Sequence, residues 1–120
     1  MDSASRADLP SDDSHPPRTH TCGALRADNE GDAVVLKGWV ETRRDHGGLV
    51  FVDLRDRYGL TQVVFSPQDN QEAYEVAGQL RREDVISVKG TVRPRGDEAV
   101  NSDLPTGAIE VSADELVVLN

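Results

Sequence analysis

Apolar and polar side chains alternate with a period of two residues in the segments of residues 33–65, and this pattern limits the fold more than any other feature. A two-residue period sends successive side chains to opposite faces of a strand, so that one face is buried and the other is not. Asp45 to Gly48 and the pair Tyr58-Gly59 interrupt the alternation with residues that favour turns. The pattern therefore predicts three antiparallel strands joined by short turns, at residues 33–44, 49–56 and 60–65.

The period changes after the third strand and predicts a helix from Ser66 to Arg82. Ser66 is a typical N-cap, Pro67 suits the first helical position, and Asp69 can return a bond to the cap. An apolar stripe follows at the spacing of one helix face: Ala73, Val76, Ala77 and Leu80. A shorter helical turn is expected over residues 22–27.

Two further strands are predicted, at residues 85–92 and 109–119. Pro94 ends the first of them, and a polar loop at residues 96–107 separates the two. The apolar parity of the last strand shifts at Asp114, which predicts a β-bulge at that residue.

The order strand-strand-strand-helix-strand-strand predicts an all-β fold with one helix. It is the order of the five-stranded Greek-key barrel of the OB-fold, whose helix lies between strands three and four. A small sandwich and an SH3-like barrel are the structural alternatives. Residues 1–18 are mainly Ser, Asp and Pro with almost nothing apolar to bury, so we expect a disordered tail before an OB domain at residues 19–120.

Composition excludes several classes of protein. No apolar run approaches the roughly 18 residues of a membrane span, and no signal peptide opens the chain, so a cytoplasmic protein is predicted. The only cysteine, Cys22, excludes an internal disulfide and a multi-cysteine zinc site. No catalytic triad, phosphate-binding loop, carboxylate pair or metal cluster occurs at a usable spacing. The chain alone is therefore predicted to catalyse no reaction and to hold no cofactor or metal.

The net charge of −9 would by itself argue against a nucleic-acid partner. The charge is unevenly distributed, since residues 37–65 and 85–95 together carry +4 and all other residues together carry −13. Arginine supplies 11 of the 13 basic residues, which either provides planar donors for phosphates and base edges or reflects a codon preference. An acidic chain with only two lysines is also expected of a protein from a high-salt cytoplasm.

One face of the predicted barrel carries what single-stranded nucleic-acid recognition needs: a ring for stacking, cations, and groups that reach base edges. Phe51 points outward among polar residues, which base stacking would explain; cover by the 96–107 loop is the alternative. Gln62 lies outward on the adjacent strand, where it either contacts a pyrimidine edge or is simply solvated.

Basic residues end the strands that border this face: Arg43, Arg44, Arg93 and Arg95. These cations either contact a nucleic acid or compensate nearby carboxylates such as Asp45 and Asp53. His46, in the first turn, is expected to be neutral. Because Arg43 and Arg44 are adjacent, strict alternation allows only one of them to share the face of Phe51.

A long run of residues resembles one known family. Gly38-Trp39-Val40, the run RRDHGGLVFVDLRD at residues 43–56, and Gln62 to Phe65 are similar to the N-terminal anticodon-binding domain of bacterial-type aspartyl-tRNA synthetase. Further matches follow in the second half of the chain: Gly90 to Arg93, Asn101, Thr106-Gly107, Ile109 to Val111 and Glu115-Leu116. The resemblance covers residues 18–120.

The resemblance implies an OB barrel that binds the anticodon loop of tRNA(Asp). It implies that Phe51 stacks on the central uracil, and that Gln62 and Arg44 form hydrogen bonds with that base. Glu110 would contact the first anticodon base. The remaining bases or their phosphates would be contacted by two further residues: Arg93 and Arg95.

The resemblance also sets limits. His46 matches the turn residue of members that accept both tRNA(Asp) and tRNA(Asn), so tRNA(Asn) is a further expected partner. Thr42 stands where many members have a basic residue, and Arg44 needs a bulge or turn to reach the Phe51 face. The family's chain continues past the position of Asn120 into a class II catalytic domain that holds ATP and Mg²⁺, and a homodimer is expected only of that full-length ligase.

Two other functions remain as alternatives to anticodon binding. One is an OB module that binds single-stranded nucleic acids without regard to sequence. The other is a protein-interaction domain that docks a partner through its acidic surface.

Overall fold

The computed structural model describes residues 17–120, without the side chain of Glu98; residues 1–16 of the predicted tail lie outside the described residues. Regular elements follow in this order: β1 (Ala33–His46), β2 (Leu49–Asp56), β3 (Gly59–Phe65), α1 (Gln71–Ala77), β4 (Val85–Pro94) and β5 (Ile109–Val118). Single 3-10 turns occur at Ala27–Asn29 and Asp97–Ala99.

The strands form a closed barrel in the order β1-β2-β3-β5-β4. β1 pairs with both β2 and β4, β4 is antiparallel to β5, and a short parallel contact between β3 and β5 completes the closure. The helix α1 connects β3 to β4. This arrangement confirms the predicted OB-fold, and a sandwich of two separate sheets is excluded.

Aliphatic side chains fill the barrel because Val, Leu and Ile occupy the inward positions. Burial alternates at every residue of β2, as the period-two pattern predicted. The largest fully buried aliphatic side chains include Leu36, Leu54, Ile86 and Ile109, each worth about 1.5–3 kcal/mol of hydrophobic stabilisation. At Gly38 the backbone of β2 passes so close that a Cβ would overlap the carbonyl of Arg55.

The bulge predicted at Asp114 is confirmed. Glu115 lies opposite Lys89 and Ala113 lies opposite Gly90, so that Asp114 has no partner in β4. The extra residue changes which side chains of β5 face inward, and this is why the apolar parity of the sequence shifts at that position.

The helix begins later and ends earlier than the predicted span from Ser66 to Arg82, since α1 covers only Gln71–Ala77. Its N-cap is Asn70, whose side chain accepts a hydrogen bond in the first turn and donates to the backbone oxygen of Asp114 at 2.7 Å. This bond to β5 favours Asn70 as the cap. Val76, one of the four residues of the predicted apolar stripe, is 37% exposed. Within residues 17–120, no helix is long and apolar enough to cross a membrane.

The helical turn predicted at residues 22–27 is also wrong. The segment before β1 is irregular, and its backbone is bonded to the turn between β2 and β3. The amide of Cys22 donates to Asp56 at 2.8 Å, and the Cys22 carbonyl accepts from the hydroxyl of Thr61 at 2.5 Å. The Cys22 carbonyl is therefore bonded to β3 instead of to the amide four residues further along the chain, as a local helix would require.

Candidate nucleic-acid interface

A second bulge, at Glu41 in β1, brings Arg44 onto the face that carries Phe51. Beyond the bulge Thr42 lies opposite Asp53, and Arg44 lies opposite Phe51. Because directly opposite residues of paired strands share a face, these four side chains project to the same side. The bulge therefore places Arg44 on the Phe51 face, which strict alternation along β1 would not do.

The same face continues across the next strands to Gln62 and Glu110. Gln62 lies opposite Asp53, and Arg93 lies opposite Glu110. The amide nitrogen of Gln62 donates to Oε1 of Glu110 at 3.0 Å, and Nε of Arg93 donates to Oε2 at 3.3 Å. The β3–β5 contact therefore unites the groups predicted to contact base edges.

Arg44 joins the two halves of this face. One guanidinium nitrogen donates to Asp53 and the other donates to the side-chain oxygen of Gln62, both at 3.0 Å. Asp53 also accepts from the hydroxyl of Thr42 at 2.6 Å. The Arg44 guanidinium carbon lies 5.8 Å from the centroid of the Phe51 ring, within cation–π range. A continuous network therefore fixes Arg44 beside the ring.

The Phe51 ring lines a cavity of about 350 Å³. The cavity is lined by Arg44, Asp45, His46, Phe51, Gln62, Arg95 and Ala99. The 96–107 loop reaches the rim through Ala99 but leaves Phe51 only half-buried, so this loop does not fully cover the ring. Gln62 is 6% exposed and bonded at both ends of its amide, which excludes a simply solvated side chain.

Arg95 forms a buried, positively charged wall of the cavity. Its Nε donates to the carbonyl of Ile109 at 3.0 Å, and Nη1 donates to the carbonyl of Ala99 at 3.3 Å. Burial lowers the pKa of the Arg95 guanidinium, while the nearby carboxylates of Glu110 and Asp53 oppose that shift. Arginine stays protonated in proteins, so a positive charge is held here with one nitrogen not engaged by the described residues.

The structure does not bring Arg43 to this face. Arg43 lies opposite the core residue Val52, and its side chain lies against the segment that precedes β4, where Nε donates to the carbonyl of Leu80 at 3.0 Å. A second bond, at 2.7 Å, joins it to Asp45. His46 is exposed at the mouth of the cavity. Of the predicted site residues, Arg43 alone lies apart.

Thr42 and Asp53 belong to the site, although the sequence reasoning treated Thr42 only as a missing cation and Asp53 as a counter-charge. A carboxylate in the middle of a strand beside an outward Phe was the available signal. Within residues 17–120, no group of three or more His, Cys, Asp and Glu side chains is arranged to hold a metal ion.

Known proteins resemble this chain in both sequence and fold. Residues 34–119 match the tRNA_anti-codon family, described as an OB-fold nucleic acid binding domain. The chain is 85% identical over its 120 residues to part of the Aspartate--tRNA(Asp/Asn) ligase of Salinibacter ruber, and 54% identical over 103 residues, 86% of the chain, to that of Acidobacterium capsulatum. It spans 19% and 17% of those two proteins.

The fold is also similar to that of a solved structure, the asparaginyl-tRNA synthetase from Pyrococcus horikoshii. The TM-score is 0.72 at 29% identity, and the similarity covers 84% of this chain and 23% of the synthetase. Because the family match includes all five strands and most of its length, the chain belongs to the tRNA_anti-codon family of OB-fold nucleic acid binding domains.

Proposed function

We propose that this domain recognises the anticodon loop of tRNA(Asp), with Phe51 stacking on the central uracil. The observation that supports this most directly is the half-buried Phe51 ring. It lines a cavity that is bordered by Arg44, Gln62 and Arg95. An unpaired base provides a flat surface for the ring and a free hydrogen-bonding edge for the polar walls.

Gln62 has the chemistry to select uracil. Its amide oxygen accepts from Arg44 and its nitrogen donates to Glu110, which leaves one lone pair and one N–H available. A uracil edge offers an N–H donor beside a carbonyl acceptor, and this pattern complements those two free positions. The Arg44 and Glu110 bonds fix which end of the amide is the acceptor, so the base-reading pattern exists before RNA binds.

The remaining residues are assigned to the neighbouring nucleotides. Glu110, held by Arg93, would accept from the first anticodon base, while Arg93 and Arg95 contact the other bases or their phosphates. His46 at the mouth of the cavity would allow tRNA(Asn) as well as tRNA(Asp), in keeping with the Asp/Asn names of the two ligases compared above.

The wider activity belongs to a longer protein. The chain spans about a fifth of the length of the curated relatives it matches. We propose that it serves as the anticodon-binding part of a cytoplasmic, homodimeric aspartate–tRNA ligase, whose catalytic domain would bind ATP and Mg²⁺. Residues 17–120 supply the recognition of RNA and not the activation of the amino acid.

Fluorescence anisotropy with labelled anticodon stem-loops tests the proposal. Phe51→Ala should weaken binding of the stem-loop with a central uracil by about 5- to 150-fold, the value of one base stack of about 1–3 kcal/mol. Gln62→Ala should instead reduce the preference for uracil over cytosine. Tyr58→Ala is the matched control, because it removes an exposed ring from the turn that follows β2.

The competing functions give different results in the same assay. Equal binding of stem-loops with any central base would contradict the proposal. Comparable affinity for unstructured DNA and RNA, with a steep salt dependence, would identify a sequence-indifferent binder. No RNA affinity at low salt would favour a protein-interaction domain.

A further inference from the structure

A second basic surface lies on the other side of β1 from the Phe51 cavity. It is a cavity of about 470 Å³ lined by Glu41, Thr42, Arg43, Leu80, Arg81 and Arg82, which we call the β1 notch. Three of its six lining residues are arginines, and none is aromatic. The notch therefore suits an anion better than a stacked base.

The charges of the notch are only partly neutralised by protein groups. Glu41 is paired with Arg55 at 3.1 Å, and Arg43 is paired with Asp45 at 2.7 Å. Among the described residues, the guanidinium groups of Arg81 and Arg82 form no hydrogen bond or ion pair. These two neighbours are the available cations of the notch.

Asp84 is the nearest candidate to neutralise Arg81, but its carboxylate is already engaged. It accepts from the backbone amide of Arg81 at 2.8 Å and from the side chain of Asn120 at 3.3 Å. These bonds, with a smaller contribution from the Arg81 charge, lower the pKa of Asp84. Among the described residues, no carboxylate lies within ion-pair distance of the Arg82 guanidinium, which also lines the notch.

The notch is continuous with the proposed anticodon face through Thr42. Thr42 lines the notch, and its hydroxyl donates to Asp53, which in turn holds Arg44 at the wall of the Phe51 cavity. β1 therefore lines both cavities, with Arg44 in the Phe51 cavity and Thr42 in the notch. A nucleotide chain that leaves the Phe51 cavity over β1 meets Arg81 and Arg82 next.

We propose that Arg81 and Arg82 form a phosphate-binding site for the RNA backbone that flanks the bases held at Phe51. This inference rests on the proposed function, because it assigns the notch to the same RNA. Phosphate contacts of this kind position a nucleic acid without reading its sequence. The site thus adds affinity and orientation, while the choice of base remains with Gln62 and Arg44.

Charge-removing variants of the 120-residue chain test the site. Arg82→Gln should weaken binding of an anticodon stem-loop several-fold, and the double variant Arg81→Gln/Arg82→Gln by about tenfold near 0.1 M salt. The double variant should make the slope of log K against log salt concentration shallower by about 1.5, at 0.7–0.9 per phosphate contact. The preference for a central uracil should be unchanged, and Arg82→Lys should restore most of the affinity.

Arg57→Gln is the matched control for Arg82→Gln. It removes one exposed arginine from the turn after β2, so the two variants have the same net charge. If both variants bind RNA equally well while Phe51→Ala does not, the phosphate site is wrong and anticodon binding stands. If Arg82→Gln alters the preference for the central base, a purely positioning role is wrong. If the unaltered chain binds no RNA, both proposals fail together.

Discussion

Replacement of Asp56 should destabilise the domain more than its place at the end of a surface turn suggests. The Asp56 side chain accepts three backbone hydrogen bonds: from Cys22 at 2.8 Å, from Tyr58 at 2.8 Å and from Gly59 at 3.1 Å. Two of these bonds close the turn between β2 and β3, and the third attaches the segment before β1 to that turn. Asp56 is 8% exposed, so its carboxylate is largely withdrawn from water.

The size of the effect follows from which donors would lose their partner in Asp56→Ala. A hydrogen bond to a charged group contributes about 1.5–3 kcal/mol, so simple addition over three bonds would give far too much. The amides of Tyr58 and Gly59 lie in an exposed turn and can bond to water instead. The amide of Cys22 is buried and would remain unsatisfied. We therefore expect a loss of about 3–4 kcal/mol, or about 15–25 °C in Tm.

Urea denaturation followed by the fluorescence of Trp39, the only tryptophan, measures this loss. Asp56→Asn should lose less than Asp56→Ala, because one carbonyl oxygen remains as an acceptor. Asp45→Ala is the control, since that carboxylate is 62% exposed and pairs with Arg43 at the surface, where ion pairs contribute about 0–1 kcal/mol. If Asp56→Ala lowers the free energy of unfolding by no more than Asp45→Ala does, the three hydrogen bonds of Asp56 do not stabilise the fold as argued.

Other properties of the fold are open to equally direct tests. Gly90→Ala should cost about 2 kcal/mol in urea denaturation, because a Cβ there would overlap the carbonyl of Ser112 and crowd Val111. Burial, with a contribution from Asp56, raises the pKa of the Cys22 thiol. The folded state therefore keeps a proton that the unfolded state releases, and stability should fall as pH rises above the ordinary value of about 8.5, a step that Cys22→Ala should lack. At a net charge of −9, the unfolding midpoint should rise from low to molar KCl; no rise would contradict an acidic surface adapted to salt.

Strand positions could be predicted from the sequence where one face is apolar and the other polar. β2 begins and ends at the predicted residues, and the bulge at Asp114 was visible because apolar residues change parity across it. The bulge at Glu41 gives no such signal, since the residues after it are polar on both faces of β1. Its consequence, the placement of Arg44 beside Phe51, could not be derived from alternation.

The start of the helix could not be predicted from local sequence, since it depends on contacts distant in sequence. Ser66 and Asn70 are both residue types that favour an N-cap, and a local rule cannot choose between them. The bond from Asn70 to the carbonyl of Asp114 in β5 is a tertiary contact. The helix ends at its C-cap Gly78 although the apolar stripe continues to Leu80, so the stripe alone does not mark the end of the helix either. The sequence located the helix between the correct strands but could not determine its length.

Ion pairs within the site predict that RNA binding depends only weakly on salt concentration. Arg44 and Arg93 lie within 3.3 Å of carboxylates on the same face, so their charges are largely neutralised before RNA arrives. On the surfaces proposed to contact RNA, few cations therefore remain to displace counterions, namely Arg95, Arg81 and Arg82. Log K for an anticodon stem-loop should fall against log salt concentration with a slope of only about −2 to −3, at 0.7–0.9 per phosphate. A slope near −6, measured by anisotropy across a KCl series, would mean that the carboxylates do not hold these arginines when RNA is bound. Stacking on Phe51 and hydrogen bonds to base edges would then no longer be the main source of affinity.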